Sequence, residues 1–367
     1  MTPQLEVQLI AAIIAAACAL PGVFLVLRRQ AMISDAISHT VLLGIVIGFF
    51  VARSLDSPLL FLGAALTGVL TVSLVELLQR TRLVKEDTAI GLVFPALFSI
   101  AVIMISRYAG NMHLDIDAVL LGELAFAPFD RMLVAGLSLP RGLVVGSAIM
   151  LINLLFIIVF YKELKLATFD AGLAATLGFT PGLLHYALMT LVSVTAVTAF
   201  DAVGAILVVA LIIAPPATAY LLTDHLPRMI GLSMLIGIAS AISGYWLARH
   251  LDVSIAGSMA TMTGVAFTLA LCFAPQRGLL AVAYRRRRQH WEFAQQMLAL
   301  HLLHHEGTPE AASEARAEHL NRHMHWAPAF ATQVVRRAEQ RGLIQRQGEL
   351  LFLTDAGRQM AQQVSVR

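Results

Sequence analysis

The chain has 367 residues, 58% hydrophobic and 13% charged, with a mean hydropathy of +0.77. Soluble domains run near ~45–50% and ~25% on the first two measures, so a soluble globular protein is excluded. So is a disulfide scaffold, because the two cysteines, Cys18 and Cys272, both lie inside apolar runs. Charge divides unevenly: 14 Lys+Arg and 15 Asp+Glu precede Ala283, against 12 and 8 from Tyr284 onward, giving an apolar body of −1 and a tail of +4.

Apolar stretches able to cross ~30 Å of hydrocarbon fall near 6–27, 31–52, 58–78, 88–107, 143–161, 182–199, 202–222, 229–248 and 254–274. The expected fold is therefore an all-α polytopic membrane protein. About nine transmembrane helices occupy a transmembrane domain, 1–284, and a small α/β cytoplasmic domain occupies 285–367. Residues 112–140 carry no clear assignment. Barrel strands would be about half as long and would alternate. The first segment is too long, and too poor in N-terminal charge, for a cleaved signal peptide.

Loop charge orients the spans. Arg28–Arg29, Arg80, Arg82, Lys85, Lys162, Lys165, Arg228, Arg277 and Arg285 to Arg288 place 13 cations on one side, against five on the other. The richer side is expected to be cytoplasmic. That puts the N-terminus outside and the tail in the cytoplasm, in accord with nine crossings of a bacterial-type inner membrane. Gly44, Gly48, Gly204 and Gly257 are expected to permit close helix packing. For Pro215–Pro216, packing and an irregular backbone lining a path stand as equal alternatives.

The second span carries the most informative residues. Asp35 and His39 are four apart and share one helix face. His39 is ten residues from Arg29, roughly 15 Å into the apolar layer at 1.5 Å per residue. An ionisable group at that depth costs at least ~2.5–3.5 kcal/mol, and this cost argues for function. Carboxylate oxygen with imidazole nitrogen suits Mn²⁺, Fe²⁺ or Zn²⁺. A two-fold partner would double the donors to four around an axis. The alternative is a purely structural pair.

At these residues the chain resembles the permease subunits of the manganese/zinc/iron ABC-transporter family. The run Arg28-Arg-Gln-Ala-Met-Ile-Ser-Asp-Ala-Ile-Ser-His39 is similar to that family's second-span motif. Val203-Gly-Ala-Ile-Leu-Val-Val-Ala-Leu-Ile-Ile-Ala-Pro-Pro-Ala-Thr-Ala219 resembles its helix ending in Pro-Ala-Ala-Thr-Ala. Thr168-Phe-Asp-Ala-Gly-Leu-Ala-Ala-Thr-Leu-Gly178 looks like its ATPase-contacting segment. Leu43, where the family often has proline, and the doubled proline depart from the pattern near helix bends. The resemblance implies a pore of two permeases, identical or homologous, two cytoplasmic ABC ATPases and an external solute-binding protein. It implies a transported divalent metal (Mn, Zn or Fe), no permanently bound cofactor, and Asp35 and His39 as the path residues.

Independently, the three lysines, Lys85, Lys162 and Lys165, follow Val, Tyr and Leu, so no Gly-Lys-Ser/Thr phosphate loop exists. The chain is expected not to be an enzyme, with ATP hydrolysis in a separate subunit. The expected ATPase contact involves Asp170, Ala171, Ala174 and Gly178, with Asp170 itself most simply a helix N-cap. His113, Asp115 and Asp117 alternate along a loop; they are a candidate outer point of metal capture or an ordinary solvated loop. Asp201 and Asp252 read as helix-end residues, and His185, near the inner end of a span, as structural.

Arg285 to Arg288 read as a stop-transfer and anionic-lipid signal. Helices are expected over 290–305, 309–320 and 327–341, then two short strands about Gln347-Gly348 and a last helix from Thr354. This order looks like a winged helix and resembles the DNA-binding part of iron-dependent repressors. DNA is not an expected partner, because the candidate recognition helix offers only Arg336, Arg337 and Arg341. His301 with His305, and His319 with His323, are i,i+4 pairs and candidate metal ligands; a histidine-rich helix interface is the alternative. Three further function classes stand beside a metal-importing permease: a permease for siderophore- or cobalamin-type chelates, a stand-alone secondary carrier, and a membrane sensor.

Overall fold

The structure is a computed structural model describing residues 2–53, 57–108, 124–134, 136–309, 315–316 and 324–365. Contacts divide it into two units, Met1–Gly278 and Leu279–Arg367. The first contains α1 (Pro3–Leu27), α2 (Ala31–Ala52), α3 (Pro58–Arg80), α4 (Glu86–Tyr108), β1 (Arg131–Val134) and β2 (Leu137–Pro140). It continues with α5 (Arg141–Val159), α6 (Tyr161–Phe169), α7 (Ala171–Thr176), α8 (Pro181–Val203), α9 (Ala205–Leu222), α10 (Leu226–Leu251) and α11 (Ile255–Phe273). Among the described residues, nine of these helices (all but α6 and α7) are long and apolar enough to cross a membrane.

Local chemistry sets the ends. Ser57 accepts the Leu59 amide to cap α3, with Pro58 as the first helical residue, and Ser254 accepts the Gly257 amide to cap α11. Gly204, at φ +78°, separates α8 from α9, a backbone angle that side-chain-bearing residues resist. Asp252 closes α10 in the left-handed region. Within the unassigned 112–140 stretch, β1 and β2 form an antiparallel hairpin, Arg131 opposite Pro140 and Val134 opposite Leu137. Its four-residue strands are too short for a periodicity to show.

The helix α1 is the axle of the first unit. Ile10, Ile14, Cys18, Leu20, Phe24 and Leu25 are all buried, and α5, α8, α9 and α10 pack around it. Pro215 and Pro216 sit inside α9, where they free the carbonyls one turn earlier. Gly22 of α1 lies against one of those, Ile212, so closely that a Cβ would collide with it. The doubled proline thus shapes a packing contact. Some polar residues pair between helices: Asn153 Nδ2 donates to Ala17 O and to Thr195 Oγ1, both at 2.9 Å, and Thr71 Oγ1 donates to Thr40 Oγ1 at 2.8 Å.

The helix α2 packs on α3, α4 and α8. Gly44 and Gly63 face each other, and a Cβ on either would run into the other's carbonyl. Gly48 is similarly pressed on Leu59. Small residues let these backbones meet. Gly257, by contrast, has only ordinary contacts to Ser254, so close packing explains Gly44 and Gly48 but not all four glycines.

The second unit is mostly helical: α12 (Leu279–His305), α13 (Pro328–Gln340), the hairpin of β3 (Ile344–Gln347) with β4 (Leu350–Leu353), and α14 (Asp355–Ser365). Its own core joins Leu298, Leu302, Val334, Val335, Ile344 and Leu351. Trp291 stacks on Phe330 at 5.0 Å and carries the Arg337 guanidinium 4.0 Å from its ring centre. Arg358 forks onto Glu306, and that hydrogen bond holds the Glu306 carboxyl below its usual range.

Two expectations for the tail change. Its first helix begins at Leu279, eleven residues before His290, because Leu-Leu-Ala-Val-Ala-Tyr followed by four arginines contains no helix breaker. The helix expected over 309–320 is not formed at 315–316. There Ala315 O accepts the Leu351 amide at 3.0 Å and Arg316 bridges Leu350 in extended conformation. Residue 309 is in a turn, and 310–314 and 317–320 lie outside the described residues.

The α2–α3 contact is directly testable. Gly44→Val forces the two backbones apart, an overpacking cost of about 1–3 kcal/mol or more, and lowers the melting temperature in detergent. Gly231→Ala, where nothing lies within 4 Å of the added carbon, leaves it unchanged or raised.

Candidate functional site

Asp35 and His39 are the fifth and ninth residues of α2, which starts at Ala31. His39 Nε2 stands 3.6 Å from Asp35 Oδ1, beyond hydrogen-bond range. Two donors each ~2.1 Å from one ion in tetrahedral array stand roughly 3.4 Å apart. The observed gap therefore admits a shared cation with little movement. The two side chains are 36% and 32% exposed. They are neither closed into the core nor fully open, and they project from the face of α2 that the rest of the described chain leaves partly uncovered.

The surroundings hold the pair in place. Ser34 and Ser38 turn back on the helix, Ser34 Oγ donating to Ala31 O at 2.7 Å and Ser38 Oγ to Ser34 O at 2.9 Å. Both hydroxyls are thereby used locally. From α4, Phe94 and Phe98 approach the imidazole, ring centres 5.0 and 6.2 Å away. Phenylalanines in an apolar span are by default core or belt residues. The spacing of Phe94 and Phe98, one helical turn, was the available signal, but only the α2–α4 contact ties it to His39.

The other candidate residues separate. Asp170 Oδ1 accepts the Leu173 amide at 2.8 Å and caps α7, as the N-cap reading expected. Gly178, at φ +87°, ends the same helix. Its amide reaches Ala175 O while the Phe179 amide reaches Ala174 O, a paired closure that favours glycine. Ala171, Leu173 and Leu177 are exposed, whereas Ala174 is fully buried. Within this chain Ala174 anchors α7 and offers no outer surface. His301 and His305 do come together on α12, ring centres 4.8 Å apart, with His304 5.3 Å from His305. His113, Asp115, Asp117, His319 and His323 lie outside the described residues. No group of three or more metal-ligating side chains forms among those described.

Two polar groupings were not anticipated. At one end of the bundle Arg131 Nη1 meets Glu6 Oε2 at 3.3 Å, with the Glu6 side chain 5% exposed. At the end bearing the α1–α2 turn, Arg28, Glu76, His185 and Tyr186 meet. The partners are far apart in the chain, so no local spacing announces them.

Residues 4–274 match the ABC 3 transport family. The chain belongs to that family. It is 50% identical over 358 residues to the zinc transport system membrane protein TroD of Treponema pallidum, covering 98% of both chains. It is 48% identical over 274 residues to the manganese transport system membrane protein MntD of Bacillus subtilis, covering 74% of this chain and 92% of the relative. The first likeness therefore extends through the tail. Among solved structures, PsaBC from Streptococcus pneumoniae in complex with Fab aligns with a TM-score of 0.64 and 27% identity, over 77% of this chain and 96% of that one. This ABC 3 family member is thus a multi-pass membrane permease, mostly helical.

If the pair on α2 binds the cation, Asp35→Ala or His39→Ala lowers metal bound per assembled complex at least tenfold. Inductively coupled plasma mass spectrometry on the purified complex measures this.

Proposed function

We propose that the chain is the membrane-spanning permease subunit of an ATP-driven importer of a divalent transition metal, Mn²⁺, Zn²⁺ or Fe²⁺. The observation that carries the reading is the Asp35–His39 pair: oxygen and nitrogen donors 3.6 Å apart on an apolar span. Family membership supports it, as do relatives described as zinc and manganese transport system membrane proteins. In this reading two permease subunits, identical or homologous, bring two such pairs around one axis and supply four ligands. Each chain alone gives only two protein donors, too few for a tight site. A chelate permease would have less use for so small a carboxylate–imidazole site.

The N-terminus lies outside and the tail in the cytoplasm of a bacterial-type inner membrane, a placement that the excess of cations near Arg28, Arg80 and Lys162 supports. A separate ABC ATPase docks on α6–α7 through Ala171, Leu173 and Leu177, and an external solute-binding protein delivers the metal. Residues 285–367 act as a winged-helix-like regulatory or packing module; the succession α13, β3–β4 hairpin, α14 supports that assignment. His301 and His305 are its candidate metal ligands.

Ala171→Glu or Leu173→Glu places a charge on the docking face and releases the ATPase during co-purification; retention at the unaltered level would contradict this placement. In the intact reconstituted complex, Mn²⁺ or Zn²⁺ with the binding protein raises ATP hydrolysis. Metal uptake by this chain alone, without an ATPase, would instead establish a secondary carrier.

A further inference from the structure

A half-buried polar chain crosses one end of the first unit. Arg28 follows the last residue of α1 and precedes α2 by two residues. Its Nε donates to Thr168 Oγ1 at 3.1 Å, and its Nη1 lies 3.2 Å from His185 Nδ1. A guanidinium only donates, so His185 Nδ1 presents its lone pair there and the ring proton sits on Nε2. That nitrogen stands 2.5 Å from Glu76 Oε1. The other carboxylate oxygen, Oε2, accepts the Tyr186 hydroxyl at 2.6 Å and lies 3.9 Å from Arg80 Nη2. The His185 and Glu76 side chains are 13% and 20% exposed. One guanidinium thereby joins α6, α8 and, through the imidazole, α3.

The positions of the joined residues give the chain its meaning. Thr168 is two residues before Asp170, the cap of α7, on the segment read above as the ATPase dock. Arg28 is seven residues before Asp35, with only Arg29 and Gln30 between it and α2. The planar guanidinium holds its partners in a fixed fork. A shift of α6–α7 that drags Thr168 must therefore either carry Arg28 and the start of α2 with it or give up the bond. Arg28 Nη2 is buried with no hydrogen-bond partner among the described residues.

The geometry points to Arg28 as a positioning residue for transport, coupling the ATPase-docking segment through Thr168 to the helix that carries Asp35 and His39. This rests on the transport reading above. The test uses the complete complex in proteoliposomes (permease pair, ATPase and external binding protein) with Mn²⁺ or Zn²⁺ as the probe. The readout is the ratio of metal-stimulated to basal ATP hydrolysis per assembled complex.

Arg28→Gln and Thr168→Val should each lower that ratio at least fivefold. The double variant should be no worse than Arg28→Gln alone, because Thr168→Val removes a bond that Arg28→Gln already removes. Thr168→Ser, which keeps the acceptor oxygen, should retain the unaltered ratio. A merely structural bond would instead lower the yield of complex and leave the ratio intact. Unchanged ratios in assembled Arg28→Gln and Thr168→Val complexes, or losses that multiply in the double variant, overturn the proposal. Should Arg28→Gln not assemble, Thr168→Val against Thr168→Ser decides alone. No stimulation of the unaltered complex would overturn the transport reading itself, a result distinct from loss in the variants only.

Discussion

A carboxylate and an imidazole set into an apolar helix must be compensated by something. Water is scarce at that depth, and hydrogen-bonded serines are already committed to their own helix. Asp35 and His39 stand slightly too far apart to satisfy each other, near the spacing that a shared cation would impose. Their placement constrains the rest of the first unit. The helix that carries them is held by close backbone contact on one side and left partly open on the other, and aromatic rings flank the imidazole.

That asymmetry has a packing origin. Gly44 and Gly48 press α2 against α3 along one face, and Gly63 answers from the opposite helix. Close approach of the backbones fixes the rotation of α2, and rotation decides which way a side chain four residues from its neighbour will point. The freed carbonyl in α9 does similar work for α1. Small residues and prolines act as the alignment marks of a bundle whose bulk apolar surface, equally at home in lipid, specifies little by itself.

Much of this was legible in the chain. Nine apolar stretches translated into nine candidate spans because length and hydropathy report directly on the cost of burying backbone in hydrocarbon. Asp35 and His39 were legible because a charge in such a stretch is conspicuous, and the Asp170 cap because capping is a local event. The β1–β2 hairpin, four residues per strand, left no periodic trace. The early start of α12 was hidden by reading its arginines as a boundary when they are good helix formers. The link from Arg28 to Thr168 and His185 was illegible in principle: the partners are 140 and 157 residues away, and each looked ordinary where it stood. Inner-end arginines are common, and a histidine near a span end reads as structural. The inward turn of Ala174 likewise depends on which face of a six-residue helix meets its neighbour.

The central claim is the location of the ion. The most direct measurement is an anomalous-difference map of the assembled complex loaded with Mn²⁺. The account predicts a peak within about 2.0–2.3 Å of an Asp35 oxygen and a His39 nitrogen, repeated or shared across the partner permease. A well-occupied ion elsewhere on the transport path, with Asp35 and His39 turned to lipid or sealed in protein, would contradict it.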